Sequence, residues 1–123
     1  MKSRQFTFSE AVLMPFAVIT KDSEGVETVT DMTTAGYSLT LYVLRDGEPD
    51  AEEYSSDDAS RVTWENQAGG TGYWTFTEAE SVNQSIWKIG TNKVDLWFES
   101  SSPPRHLGSA EITIVESATG GNP

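Results

Sequence analysis

Residues 92–115 constrain the fold more than any other part of the chain. Apolar residues occupy every second position in two runs: Val94, Leu96 and Phe98, and then Ala110, Ile112 and Ile114. This period of two predicts strands with one buried face, and the polar loop between the runs, with Pro103 and Pro104, predicts an antiparallel hairpin. A one-residue slip would bury Asp95 and Glu111 at a cost of several kcal/mol each unless they were paired, so the register is well specified.

The size and composition of the chain limit its class. A length of 123 residues predicts one domain whose core is stable without disulfides or a structural metal. The absence of cysteine excludes disulfides and thiolate zinc sites. The longest apolar run, residues 11–19, is short and contains Pro15, so we expect no membrane span. The first ten residues do not resemble a signal peptide, and we expect production without Sec export.

Charge and aromatic content indicate the kind of partner. The formal net charge is −11, from 19 acidic and 8 basic residues, so the chain would repel phosphate backbones and we expect no nucleic-acid binding. Four Trp, four Tyr and five Phe exceed what a small core needs. Some of these aromatic residues are therefore predicted to lie at an interface.

Alternating apolar patterns predict short strands along most of the chain. They cover residues 5–9, 11–20, 26–30, 37–45, 61–64 and 73–77, with Trp74 and Phe76 facing inward in the last. Residues 11–20 are apolar on both faces, which suits a covered strand or an arm lying across a partner, and Pro15 restricts a strand there to an edge or a bulge. The acidic residues 46–60 predict a long exposed loop, and Thr77 with Glu80 predicts a capped helical turn within 77–84.

These elements predict an all-β fold. About seven strands at intervals of roughly ten residues favour an antiparallel β-sandwich, with a small barrel as the alternative. We divide the chain into an amino-terminal arm or first strands (1–25), the sandwich (26–116) and a flexible tail (117–123).

Candidate chemical residues are few. His106 is the only histidine and is predicted to be a loop or strand-edge residue without chemistry. Calcium, if bound, would lie in an acidic segment whose spacing does not match the helix-flanked calcium loop, so a solvated loop is expected; its residues are Glu48, Asp50, Glu52, Glu53, Asp57 and Asp58. Glu65 beside Trp64, and Asp95 near Trp97, are the nearest carboxylates for glycoside hydrolysis, but such neighbours arise by chance in an acidic chain. We predict no catalytic residue, metal or cofactor.

Two aromatic residues interrupt the polar faces of their strands. Trp97 lies opposite the apolar face of its strand, and Tyr42 lies on the outward face of another. Each would lie beneath a loop or arm, contact a protein partner, or stack on sugar rings.

Several strand patterns resemble small immunoglobulin-like domains of tailed bacteriophages, in particular the amino-terminal domain of upper baseplate proteins. The resemblance covers residues 26–115 and rests on residues 36–47 (GYSLTLYVLRDG), 72–77 (GYWTFT), 90–100 (GTNKVDLWFES) and 107–115 (LGSAEITIV). It implies an immunoglobulin-like sandwich that is a structural virion component without catalytic residues.

We therefore expect a virion structural protein, made in the host cytoplasm, that serves as a tail, baseplate, fibre-attachment or capsid-decorating subunit. It would bind other virion proteins, in many copies or as a homo-oligomer, by burying apolar side chains. The residues predicted to bind a partner are Phe6, Phe8, Leu13, Phe16, Tyr42 and Trp97. The alternative is a carbohydrate-binding module with Trp97, Tyr42 or Trp64 as stacking platforms.

Overall fold

The structure is a computed structural model that describes residues 3–7, 11–21, 23–82, 86–99 and 104–115. Within these ranges there are ten strands, a 3-10 helix at Gln67–Gly69 and a short α-helix, α1, at Glu78–Val82. The strands are β1 (Arg4–Thr7), β2 (Val12–Ala17), β3 (Ile19–Lys21), β4 (Glu27–Val29), β5 (Ser38–Leu44), β6 (Glu52–Ser55), β7 (Val62–Asn66), β8 (Thr71–Phe76), β9 (Gly90–Glu99) and β10 (Arg105–Val115). Phe8 and the predicted tail, 117–123, lie outside the described residues.

The strands form two facing sheets and a small hairpin. One sheet has the order β1-β10-β9-β5-β6, the other has the order β2-β8-β7, and β3 pairs with β4. Both main sheets contribute side chains to one core, which includes Met14 and Trp74 from the smaller sheet and Leu39 and Leu96 from the larger. The prediction of an all-β, sandwich-like fold is confirmed, and the strands of the described ranges form no closed barrel.

The hairpin at the carboxyl end has the predicted antiparallel pairing and the predicted buried face. β9 and β10 are antiparallel with Val94 opposite Ala110, and the six apolar residues of the alternating runs are all buried. Glu111 is exposed, as the alternation requires. The ladder has one irregularity, a register shift between His106 and Gly108 that leaves Leu107 as an extra residue in β10.

The amino-terminal residues are strands of both main sheets. β1 pairs in parallel with β10, whereas β2 pairs antiparallel with β8 in the opposite sheet. β2 buries Val12, Met14 and Phe16 on one face and exposes the residues between them. It lies at the end of its sheet, where Pro15, which has no N–H to donate, is tolerated. In the described part of residues 1–25 the chain forms β1, β2 and β3.

The prediction of a long exposed loop over residues 46–60 is wrong. β6 lies within it and pairs antiparallel with β5, with Glu53 opposite Tyr42. Tyr54 is half-buried and meets the ring of Phe76 in the facing sheet edge-on, with ring centroids 5.4 Å apart. Glu52 and Glu53 are exposed, so the acidic composition of the segment did not indicate a strand. Pairing with β5 and the contact of Tyr54 with Phe76 stabilise it.

The predicted helical turn is present as α1. The Thr77 amide donates to Glu80 Oε1 over 2.8 Å, and the Glu80 amide donates to Thr77 Oγ1 over 3.4 Å, which is a capping box. Glu80 also accepts two hydrogen bonds from Arg61, at 2.8 and 2.6 Å, and the Arg61 guanidinium lies 4.9 Å from the ring centroid of Phe76. These contacts attach α1 to the start of β7 and to the aromatic core.

Candidate functional site

The outer face of the five-stranded sheet carries the two outward aromatic residues. Along β9 the buried positions alternate with Lys93, Asp95, Trp97 and Glu99, which face away from the core. Tyr42 occupies the corresponding outward position on β5, directly opposite Asp95. Both aromatic side chains are half-buried, because neighbouring strands flank each of them on the sheet surface.

A groove of about 410 Å³ lies between these aromatic residues. Its lining comes from the middle of β5, the outward face of β9 and the segments just before β6 and β10: Tyr42, Ala51, Asp95, Trp97, Glu99 and Pro104. The groove thus combines two aromatic rings with two carboxylates. We call it the outer groove.

The extra residue in β10 determines which of its side chains lie beside Trp97 and Asp95 on the outer face. Simple alternation from Ala110 and Ile112 would turn every even-numbered residue of β10 inward, His106 included. The shift at Leu107 reverses the phase, so that His106 lies opposite Trp97 while Ser109 lies opposite Asp95, both on the outer face. Leu107 packs against the core instead.

His106, Ser109, Asp95 and Trp97 form one contact network. His106 Nε2 lies 3.1 Å from Asp95 Oδ1 and 3.2 Å from Ser109 Oγ, and the Ser109 hydroxyl donates to the same Asp95 oxygen. The rings of Trp97 and His106 meet at a centroid distance of 4.9 Å. His106 and Asp95 remain 42% and 49% exposed, so water reaches both.

This network does not have the geometry of a nucleophilic triad. In a triad the serine and the carboxylate engage different nitrogens of the imidazole, so that the ring carries a proton between them. Here Ser109 and Asp95 both approach Nε2, and the serine hydroxyl bonds directly to the carboxylate. The arrangement fixes the positions of the His106 and Asp95 side chains beside Trp97 and leaves the serine without an activating base.

The electrostatics of the outer groove are acidic. Partial desolvation, followed by the negative charge of Glu53, a hydrogen bond with Glu53 and the charge of Glu99, raises the pKa of Tyr42. Glu53 reaches Tyr42 because the two residues are directly opposite in the β5–β6 ladder. The described residues that line the groove include no lysine or arginine.

The structure does not bring together the five predicted partner-binding residues that lie within the described ranges. Tyr42 and Trp97 share the outer groove, whereas Leu13, 49% exposed, lies on the outer face of the opposite sheet. Phe16 is only 7% exposed and contacts Trp64 and Trp74 inside the sandwich, and Phe6 is partly buried against the core. Trp64, Trp74 and Trp87 likewise contribute to the core, so much of the aromatic excess is internal.

Sequence reasoning did not place His106 and Ser109 beside Trp97. The alternation in the hairpin could have predicted that Asp95 and Ser109 share a face, since both residues point outward. The position of His106 depends on the bulge, and the local sequence signal for it is Gly108, a glycine inside the strand directly after the extra residue.

The carboxylates considered for metal or acid–base chemistry have separate partners. Glu65 accepts a hydrogen bond from the Tyr73 hydroxyl at 3.2 Å, Glu52 pairs with Arg45 at 3.2 Å, and Asp58 accepts from Ser60. Within the described ranges, no group of three or more acidic, His or Cys side chains could hold a metal ion. None of the helices there is long and apolar enough to cross a bilayer.

No protein-family model matches the chain, and no curated protein matches it. Function is therefore inferred from the fold and from the chemistry of the outer face.

Proposed function

We propose that the protein is a bacteriophage virion structural protein that binds other virion proteins through the outer face of its five-stranded sheet. The observation that carries the proposal is the outer groove, where Tyr42 and Trp97 present half-buried rings on a surface that no other described segment covers. Large aromatic side chains supply much of the energy of protein interfaces. The virion setting, with synthesis in the host cytoplasm and many copies per particle, is supported by the resemblance of residues 26–115 to phage domains.

We also propose that the sandwich is immunoglobulin-like. In such domains strands B, E and D form one sheet and strands G, F, C and, in variable-type domains, C′ form the other. Numbering β2, β5, β6, β7, β8, β9 and β10 as B, C, C′, D, E, F and G reproduces both orders. The β3–β4 hairpin is then an insertion between B and C, and β1 an added strand beside G.

The role is non-catalytic in this proposal. The one cluster of serine, histidine and aspartate lies on an exposed sheet face rather than in a cleft, and both partners of His106 use the same ring nitrogen. Such an arrangement supplies a shaped, charged surface for binding and offers no activated nucleophile.

The experiment that tests this function is detection of the protein in purified particles. Phage particles from a bacterium that carries this gene would be isolated on a density gradient and analysed by mass spectrometry. We expect the protein to co-sediment with particles in many copies, and incorporation to fall in Trp97→Ala but not in Tyr73→Ala, an exposed aromatic on the opposite sheet. A protein that remains in the soluble fraction would contradict the proposal.

Deleting residues 1–16 would not be an informative variant. The deletion removes β1, most of β2 and the buried side chains of Val12, Met14 and Phe16, so loss of assembly would follow from loss of folding. Single substitutions on the outer face avoid this problem.

A carbohydrate-binding module is the second candidate. One observation favours it: Trp97 shares the groove with Asp95 and Glu99, whose oxygens can accept hydrogen bonds from sugar hydroxyls beside a stacked ring. This function predicts that soluble glycans quench tryptophan fluorescence and that Trp97→Ala abolishes the effect. No quenching across a broad glycan panel would remove it.

A further inference from the structure

We propose that the outer groove binds a cationic segment of a partner protein, with an arginine or lysine side chain held between the aromatic rings of Trp97 and Tyr42 and the carboxylates of Asp95 and Glu99. This inference rests on the proposed function, since it specifies the chemistry of the partner at that surface. It commits to a basic peptide segment as the occupant.

Charge complementarity is the first argument. Asp95 and Glu99 line the groove, and Glu53 lies opposite Tyr42 on the next strand. The lining contributed by the described residues contains no cationic side chain, and the whole chain carries a formal charge of −11. A positively charged segment would therefore be attracted to the molecule and would find the carboxylates of Asp95 and Glu99 at the groove.

The other charged groups around the groove do not cancel its negative charge. Lys93, the nearest outward lysine on β9, lies one outward position beyond Asp95 and is opposite Glu111 on β10. His106 lies against Asp95 on the side away from Tyr42 and does not line the groove. The raised pKa of Tyr42, caused by desolvation and then by the charges of Glu53 and Glu99, is consistent with a negative local potential.

The aromatic rings are the second argument. Cations bind to the faces of tryptophan and tyrosine rings, and arginine does so while its guanidinium also pairs with a carboxylate. The Trp97 ring contacts His106 on its β10 side, so the surface that lines the groove is the one toward Tyr42. The contact network of His106, Ser109 and Asp95 restrains that ring, which lowers the ordering cost of binding.

The size of the groove suits one or two side chains. A volume of about 410 Å³ lies at the low end of the roughly 300–1,000 Å³ of small-molecule sites, and the lining is shallow and open to water. Nucleic acid would be repelled by the same carboxylates that attract a basic segment. A sugar remains the alternative occupant, and the experiment separates the two.

The test is a titration of the full-length protein with capped peptides, followed by two-dimensional NMR. The probes are the pentapeptide Gly-Arg-Ser-Arg-Gly and its counterpart with both arginines replaced by glutamate. We expect the arginine peptide alone to shift the Trp97 indole and Tyr42 amide signals saturably, with weaker binding at higher salt. The binding constant should fall about three- to fivefold in Trp97→Ala and in Glu99→Gln.

The opposite sheet provides matched controls. Tyr73 and Glu65 also form an aromatic–carboxylate pair on an outer face, with the Tyr73 hydroxyl 3.2 Å from Glu65 Oε2, but they lie outside the groove. Tyr73→Ala and Glu65→Gln should bind the arginine peptide as the unmodified protein does. Equal losses of peptide affinity in all four variants would indicate general attraction to an acidic protein and would overturn the proposal. It would also be overturned if neutral glycans, and not the arginine peptide, shifted the NMR signals of Trp97 and Tyr42.

The two proposals fail separately. If the protein is found in particles but the arginine peptide produces no shifts in the groove, the cationic segment is wrong and the structural role stands. If the peptide binds in the groove but the protein is absent from particles, the binding chemistry stands and the virion role is wrong.

Discussion

Asn92 is the buried polar residue on which the stability of the hairpin most depends. Its side chain is fully buried at the start of β9 and makes four hydrogen bonds. Nδ2 donates to the carbonyls of Lys88 and Ile112 at 2.9 and 3.0 Å, and Oδ1 accepts from the amides of Lys88 and Asp46 at 3.1 and 3.2 Å. One amide group thus joins β10, the turn after β5 and the segment that precedes β9.

Replacing Asn92 by alanine removes all four bonds at once. At about 1 kcal/mol for each bond, with a further cost for backbone groups left buried without a partner, the free energy of unfolding should fall by roughly 3–5 kcal/mol. That is a large share of the roughly 5–15 kcal/mol that stabilises a typical domain. For a chain of this length the melting temperature should fall by roughly 10 °C or more.

Equilibrium unfolding in urea, followed by tryptophan fluorescence, measures the change. The matched control is Asn66→Ala, since Asn66 is exposed and its side chain accepts one hydrogen bond, from the Gly69 amide at 3.1 Å. The control should lose about 1 kcal/mol, as a helix cap does. If Asn92→Ala costs no more than Asn66→Ala, the four bonds do not have the strength assigned to them.

Three further predictions concern other parts of the fold. Hydrogen bonds from Arg61 lower the pKa of Glu80. The difference in unfolding free energy between wild type and Glu80→Gln should therefore be largest above pH 4.5 and should decrease as the pH falls through the lowered pKa. Urea unfolding from pH 6 to 3 measures this difference. Gly70→Ala, at φ 71°, would place a Cβ 2.7 Å from a backbone oxygen and should destabilise by more than Gly47→Ala, at φ 82° in open space; equal melting temperatures would refute this. Deleting Leu107 removes the extra residue of the bulge, so His106 should stay opposite Trp97 and its Cε1 proton should keep its ring-current shift, whereas loss of a side chain packed on the core should lower the denaturation midpoint; loss of the ring-current shift would contradict this.

The parts of the fold that could be predicted are those whose signal is local. The alternation in residues 94–98 and 110–114 marks a buried face, and β9 and β10 have the predicted faces and pairing. The Thr77–Glu80 capping box is equally local, and α1 begins directly after Thr77, as this spacing predicts. Asn92 could also have been predicted as buried, because it has the same even phase as Val94, Leu96 and Phe98.

The parts that could not be predicted depend on partners distant in sequence. β6 contains two exposed glutamates, and it is a strand because it pairs with β5 and because its Tyr54 contacts Phe76 in the facing sheet. The parallel pairing of β1 with β10 joins residues more than a hundred positions apart. The outer groove depends on the β5–β9 register, which has no sequence signal of its own, and the position of His106 beside Trp97 depends on the bulge at Leu107, where Gly108 is the local signal.

In β9, the residues that stabilise the fold alternate with the residues that are available to a partner. Its even positions, from Asn92 to Phe98, face the core, and its odd positions, from Lys93 to Glu99, face the outer groove or its surroundings. Substituting Glu99 by glutamine changes charge without removing buried area, so it should alter unfolding free energy by no more than about 0.5 kcal/mol. Substituting Leu96 by alanine should cost about 2–5 kcal/mol. A strand divided in this way can change its partner through its odd positions while its even positions keep the sandwich intact.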